Sequence, residues 1–224
     1  MSTAAGADHG HAHPWYQAHH FKNMEQQNAA NKFGMWLFLV QELLFFAGLF
    51  MAYASMRFFY PGTWLEAAEQ LDKVMGAVNT VVLLTSSLTM ALGVRAAQLG
   101  NNGQVVAWCA ATLAGAYGFL VIKYLEYSHK IHVGLLPGKW FDFKELTQSG
   151  TDAPQLFFSV YFMMTGVHGL HVVIGIGVIF WIMLRVMRKD FSPDNYSAVE
   201  NVGLYWHLVD LIWIFLFPLL YLVR

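Results

Sequence analysis

The chain has 224 residues, of which 57% are apolar and only 12% are charged. A soluble protein has roughly 25% charged residues, so this composition indicates a membrane protein. The formal net charge of -1 provides no cationic surface that a nucleic acid could neutralise, which excludes nucleic-acid binding. The single cysteine excludes a disulfide framework and a cysteine-based zinc site.

Five apolar segments are long enough to cross a membrane, which takes about 20 consecutive apolar residues. The predicted spans are residues 33–56, 74–97, 105–127, 154–187 and 203–223. The predicted fold class is therefore all-α, a polytopic membrane protein whose five helices form an antiparallel bundle. The fourth segment is longer than a perpendicular span requires, so we expect it to tilt or to extend into water.

The segments outside the spans are polar. Residues 1–31 form a histidine-rich N-terminal segment without a recognisable signal peptide, followed by a five-helix domain at residues 32–224. The connector at residues 128–153 has room for a short surface helix. Arg185, Arg188 and Lys189 cluster between the last two spans, and basic residues favour the inside of a membrane. This cluster predicts a cytoplasmic N-terminus, and five spans then put the C-terminus outside.

Glu42 is an ionisable residue inside the first span, near the middle of the membrane. A charge at this depth costs at least a few kcal/mol unless it faces protein, water or a partner. Its helical neighbours are Phe38, Leu39, Phe45 and Phe46, so nothing in its own helix can pair with it. Two interpretations stay open, a proton-holding or lipid-facing group and a neutral glutamate that is hydrogen-bonded to a neighbouring helix.

The last span carries His207 and Asp210, which are three residues apart and share a helix face. If the helix begins early, Glu200 joins the same stripe. One interpretation is a proton-linked or lipid-headgroup site. The other, which the spacing alone favours, is a packed hydrogen-bonded pair that orients the helix.

Lys123, Glu126 and Lys130 form a ladder near the end of the third span. The order Glu126 to Lys130 is the favourable one for a helical ion pair. Snorkelling of the side chains at the membrane interface explains this ladder without a function. The functional alternative for Glu126 is a lipid-binding or proton-linked polar site.

His168 and His171 in the fourth span could both face one metal ion, but a metal site needs more donors and only His207 remains among the intramembrane histidines. We therefore predict no metal site and favour helix packing, with the imidazoles hydrogen-bonding across the contact and a lipid or proton-linked role as the alternative. Small residues that would let neighbouring backbones approach are Gly166, Gly169, Gly175 and Gly177. Small polar residues with a similar packing role in the second span are Thr85, Ser86, Ser87 and Thr89.

Five motifs in register give the chain a family resemblance. The stretch KFGMWLFLVQELLFFAGLFMAYASM from Lys32 resembles the helix of cytochrome c oxidase subunit III that carries a membrane-buried glutamate, and Glu42 takes that place. The motifs that follow in the family's order are NTVVLLTSSLT from Asn79, LEY from Leu125, TGVHGLHVVIG from Thr165 and YWHLVDLIWIFLF from Tyr205. Together they cover residues 32–224 and identify a short, five-helix form of the family.

The resemblance implies a non-redox accessory subunit of a haem-copper terminal oxidase in a bacterial inner membrane. It implies that haem and copper reside in partner subunits, that the chain packs against the catalytic subunit I and other oxidase subunits, and that phospholipid binds. It also implies a cytoplasmic N-terminus, a place beside the mouth of a proton-uptake path and a role in keeping the catalytic subunit active during turnover. A larger respiratory supercomplex is a further expected partner.

Two departures from the family pattern affect these expectations. Seven-helix members have two helices ahead of the glutamate-bearing one, whereas residues 1–31 are polar here, so the lipid-filled cleft of the long members is absent or is completed by another chain. Lys123 stands where the family pattern has an uncharged polar residue. The alternatives are the equivalent subunit of a quinol oxidase, a lipid-binding structural scaffold and a proton-coupled transporter, the last disfavoured because no inverted repeat is recognisable.

Overall fold

The structure, a computed structural model, describes residues 21–141, 154–193 and 195–222 of the chain. Within these residues the secondary structure consists of six α-helices and two isolated β-bridges. The helices are α1 (Met24–Phe59), α2 (Pro61–Glu69), α3 (Lys73–Gln98), α4 (Asn102–His132), α5 (Gln155–Met187) and α6 (Ser197–Tyr221). Five of these helices, all except α2, are long and apolar enough to cross a membrane. The predicted all-α membrane fold is therefore confirmed.

The helices extend beyond the predicted spans. α1 begins at Met24 rather than at residue 33, because the Asn23 side chain caps its first turn by accepting a hydrogen bond from the Gln26 backbone at 2.9 Å. Its 36 residues give a helix about 54 Å long at 1.5 Å per residue. The hydrocarbon layer is only roughly 30 Å thick, so α1 must tilt or extend beyond it. α5, with 33 residues, is long as expected.

The connectors differ from the sequence prediction. A short helix, α2, follows α1 directly, and the sequence analysis did not predict it. The predicted surface helix at residues 128–153 falls partly on residues 142–153, which lie outside the described residues, as do residues 1–20 of the histidine-rich segment. Residues 135–141 form a tight loop closed by a bridge between Leu135 and Phe141.

The other four long helices pack around α6. Half of the most apolar stretch of α6 is buried, compared with 11% of that of α1, so α6 is the central helix and α1 a peripheral one. α6 runs antiparallel to α3, since Trp206 of α6 donates to Ser86 of α3 at 3.1 Å and Trp213 donates to Thr80 at 3.1 Å. Small polar groups thus hold the helices together, as predicted for the second span.

A glycine governs the contact between α5 and α6. A Cβ atom built at Gly175 would lie 2.7 Å from the indole ring of Trp206, whereas no atom lies within 4 Å of one built at Gly169 or Gly177. For Gly166 the nearest atom is 4.0 Å away. The sequence prediction of close approach is therefore right for Gly175 and wrong for the other three, beside which no neighbouring atom comes closer than 4.0 Å.

We expect Gly175→Ala to lower the free energy of unfolding by roughly 1–3 kcal/mol, the usual cost of overpacking. The matched control is Gly177→Ala, which adds the same methyl group on the same helix where there is open space. Thermal unfolding of the detergent-solubilised complex measures both. Equal effects of the two substitutions would contradict the assigned role of Gly175.

Candidate functional site

Glu42 and His171 form a partly buried pair between α1 and α5. The Glu42 Oε2 atom lies 3.0 Å from the His171 Nε2 atom, and their side chains are 15% and 14% exposed. The partner of Glu42 is thus a titratable group on a neighbouring helix. The predicted hydrogen bond to a neighbouring helix is therefore present, and the proton-holding role stays a prediction.

The other ring nitrogen of His171 determines where the shared proton can lie. His171 Nδ1 is 2.8 Å from the carbonyl oxygen of Val167, which can only accept a hydrogen bond, so Nδ1 carries a proton and donates. Nε2 then either accepts a hydrogen bond from a protonated Glu42 or donates one to its carboxylate. In both forms one proton lies between Oε2 and Nε2.

Aromatic side chains surround this pair. The His171 ring packs edge to face against Phe46 at 5.0 Å and lies 6.2 Å from Phe45, and the Tyr205 hydroxyl donates to the His171 carbonyl at 3.0 Å. Phe46 is 1% exposed whereas Phe45 is 49% exposed. The pair is therefore enclosed towards the bundle and lies close to the outward face of α1.

His207 and Asp210 do not hydrogen-bond to each other. The His207 Nδ1 atom lies 2.7 Å from the Ser87 hydroxyl oxygen of α3. Asp210 is 2% exposed and also faces Ser87, but neither carboxyl oxygen forms a hydrogen bond of good geometry with the part of the chain that the structure describes. The favoured interpretation of a mutually hydrogen-bonded pair is wrong, because His207 bonds to Ser87 instead and Asp210 has no hydrogen bond to the described residues.

His168 is fully buried and packs between rings. Its imidazole lies 5.4 Å from the Phe119 ring and 5.2 Å from the Trp213 ring, and neither nitrogen has a hydrogen-bond partner among the described residues. It therefore does not share a face with His171, which turns towards α1. Among residues 21–141, 154–193 and 195–222, no three His, Cys, Asp or Glu side chains come close enough together to hold a metal ion.

A second cluster of charges, the Lys123 cluster, is formed by Lys123, Glu126, Lys130, Tyr161 and Tyr221. Lys123 donates to Glu126 at 2.9 Å, Lys130 lies 3.6 Å from it, and the hydroxyls of Tyr161 and Tyr221 donate to the same carboxylate at 2.9 Å and 2.7 Å. The two lysines are 7% and 3% exposed. Interface snorkelling is therefore the wrong interpretation, because these side chains point into the bundle.

The two tyrosines in this cluster were not predicted from the sequence. Tyr161 lies on α5 and Tyr221 at the end of α6, 35 and 95 residues after Glu126. Only the register between helices brings them together. Lys123 also lies 4.9 Å from the centre of the Trp213 ring, which adds a cation–π contact to the ion pair.

Glu200 lies in the first turn of α6, since this helix does begin early. It lies seven residues before His207 on the same face of this helix, as predicted, and its carboxylate pairs with Lys32 of α1 at 3.3 Å. Close by, the Ser197 hydroxyl donates to the Asn28 side-chain oxygen at 2.7 Å. These contacts fasten the N-terminal part of α1 to the beginning of α6.

Comparisons with known proteins agree on one family. The model of the family described as cytochrome c oxidase subunit III matches residues 12–134 and 139–223. Cytochrome c oxidase subunit 3 of Corynebacterium diphtheriae is 34% identical over 193 residues, covering 85% of this chain and 87% of that protein. The subunit 3 of Synechocystis sp. is 34% identical over 85% of this chain and 75% of its own length. A cytochrome bo(3) ubiquinol oxidase subunit 3 of Pseudomonas aeruginosa is 27% identical over 97% of this chain and 91% of its own.

Proposed function

This chain belongs to the cytochrome c oxidase subunit III family, and from that premise we propose that it supports the catalytic subunit without carrying out redox chemistry itself. Membership makes it an accessory membrane subunit of a haem-copper oxidase. Its expected partners are subunit I, which holds haem and copper, other oxidase subunits, a larger respiratory supercomplex and phospholipid. The compartment we propose is the bacterial inner membrane.

The nitrogen atoms of the intramembrane histidines support the non-redox part of the proposal. Both nitrogens of His171 are engaged, with Glu42 and with a backbone carbonyl, and Nδ1 of His207 is engaged by Ser87. His168 is enclosed by two aromatic rings. A haem or copper ligand must present a free nitrogen to an open space, which neither the doubly bonded His171 nor the enclosed His168 does.

The observation that carries the functional proposal is the Glu42–His171 pair. A group that holds one transferable proton in the membrane can assist proton supply to a neighbouring subunit without any metal. We propose that this pair supports proton uptake and activity during repeated turnover. An oxidase complex assembled with and without this chain tests the proposal through its initial rate, its proton uptake and its loss of activity during turnover.

The electron donor we propose is cytochrome c. The cytochrome c oxidase relatives are 34% identical to the chain whereas the ubiquinol oxidase relative is 27% identical. The alternatives are the equivalent quinol-oxidase subunit and a lipid-binding scaffold. Mild solubilisation followed by subunit analysis distinguishes the donors, because a cytochrome c oxidase has a neighbouring subunit with a copper-binding docking domain.

We expect the N-terminus of the chain to be cytoplasmic. In a background without Cys109, a membrane-impermeant thiol reagent should label Lys139→Cys in intact spheroplasts and should not label Gln104→Cys. Both positions are exposed and lie at opposite ends of α4. Lys139 follows the C-terminus of this helix, and Gln104 lies in its first turn. Permeabilised cells, in which both variants should react, are the control. The reverse pattern in intact spheroplasts would contradict the orientation.

A further inference from the structure

Three buried polar side chains inside the bundle lack hydrogen-bond partners. They are Asn79 of α3, His168 of α5 and Asp210 of α6, which are 0%, 0% and 2% exposed. Both polar side-chain atoms of each residue are without a partner in the part of the chain that the structure describes. Folded proteins leave few such atoms unpaired, because an unpaired buried polar group keeps its full desolvation cost. These side chains therefore need a ligand that the described residues do not supply.

Asp210 and Asn79 both lie in the contact between α3 and α6. Asp210 stands between Trp206 and Trp213, whose indole nitrogens both donate to side chains of α3 at 3.1 Å. Residues three or four apart share a helix face, so Asp210 faces α3 as well. On α3, Asn79 lies seven residues before Ser86, the acceptor of Trp206, and thus on the face that contacts α6.

The Trp213 ring shows that the three residues lie near one level of the membrane. Its nitrogen donates to Thr80, the residue next to Asn79, and the ring lies 5.2 Å from the His168 ring. Asp210 is three residues before Trp213, which is about 4.5 Å along the helix axis. Side chains from three helices therefore lie within about one helical turn of each other along the bundle.

We propose that water molecules bind inside the bundle between Asn79, His168 and Asp210. A buried water molecule forms about three hydrogen bonds to polar groups that would otherwise be unpaired. Water suits these three side chains because it both donates and accepts. The Asn79 amide has donors and acceptors, a neutral imidazole has one of each, and the Asp210 carboxyl accepts in either protonation state.

Bound water at this place extends the polar interior of the bundle. The Lys123 Nζ atom lies 4.9 Å from the centre of the same Trp213 ring that the His168 ring contacts. Polar groups would then continue from Asp210 to the Lys123 cluster near the end of α6. The inference concerns the interior of α3, α5 and α6, and it does not depend on the proposed function.

The first test is a cryo-EM map of the intact purified oxidase complex, at a resolution that shows ordered water. We expect water densities within hydrogen-bond distance of Asp210 and of at least one of the other two side chains. A map with ordered water elsewhere in the complex and none at these side chains would overturn the proposal. A single density that all three side chains contact at metal–ligand distances would also overturn it, because the ligand would then be a cation.

The second test asks whether Asn79 and Asp210 share the bound water. Melting temperatures are measured for complexes that carry Asn79→Leu, Asp210→Leu or both substitutions. Each single substitution leaves the water and the other residue without a partner, whereas the double variant removes both polar groups. We therefore expect the loss in the double variant to be smaller than the sum of the two single losses, by roughly 2–4 °C.

Thr85→Val is the matched control, since it also replaces a polar side chain of α3 by an apolar one. Thr85 is exposed, and its hydroxyl donates to the Val81 carbonyl of its own helix at 2.8 Å. Combined with Asp210→Leu, it should give the sum of the two single losses. The same additivity for Asn79→Leu with Asp210→Leu would contradict a shared water. If these variants do not assemble, the map of the wild-type complex still decides.

Discussion

An oxidase assembled without this chain is expected to keep its haems and its ability to reduce oxygen, but to take up protons more slowly at alkaline pH and to lose activity during turnover. The reason is that the chain contributes proton-holding groups and a packing surface to the oxidase complex. Protons are scarce at alkaline pH, so losing a proton-holding pair matters most there. Initial rate, proton uptake and the decay of activity are measured on complexes with and without the chain.

The Glu42→Gln variant separates proton holding from packing within this experiment. The glutamine amide can still donate to Nε2 of His171, which keeps the contact observed at 3.0 Å, but it cannot transfer a proton. We therefore expect an effect on alkaline proton uptake smaller than that of losing the chain, with the complex fully assembled. Glu42→Leu, which also removes the hydrogen bond, should be more severe than Glu42→Gln.

Two outcomes would contradict parts of this account. Immediate loss of haem from the depleted complex would show that the chain is part of the redox site's own structure. No change in rate, proton uptake or decay would leave only the scaffold alternative. A third outcome is that the complex without this chain loses activity whereas the Glu42→Gln complex behaves like wild type. The support function would then lie outside the Glu42–His171 pair.

The membrane fold was predictable because hydropathy reports contact with lipid directly. The five spans stand out in the sequence since each must bury its backbone in hydrocarbon, where only helices satisfy the peptide groups. The first nine residues of α1 were not predictable in this way, because they are polar and depend on the cap at Asn23. α2 has only nine residues, which is too short for a clear period.

The candidate site was predictable only in part. The depth of Glu42 followed from its position in an apolar run, but its pairing with His171 depends on the register between α1 and α5. The same limit explains the error for Lys123, which lies near the end of an apolar run and therefore suggested an interface. The structure continues α4 to His132 and turns Lys123 inward, against Glu126 and two tyrosines.

The buried Lys123 cluster leads to the largest expected effect of a single substitution on stability. Glu126 is 3% exposed and is the carboxylate that both Lys123 and Lys130 contact. Glu126→Ala would leave two buried cations without this anion, and the hydroxyls of Tyr161 and Tyr221 would lose their acceptor. Breaking a buried ion pair from one side costs about 3–5 kcal/mol.

We therefore expect Glu126→Ala to lower the free energy of unfolding by about 3–5 kcal/mol and to lower the yield of assembled complex. Glu69→Ala, the same substitution at an exposed position of α2, is the matched control and should change the free energy of unfolding by less than about 0.5 kcal/mol. Lys123→Gln should be milder than Glu126→Ala, because Glu126 keeps Lys130 and both tyrosines. Thermal unfolding of the purified complex measures the stability of all three variants. If Glu126→Ala is no more destabilising than Lys123→Gln, the interpretation is wrong, because the carboxylate would then not be the group that compensates both lysines.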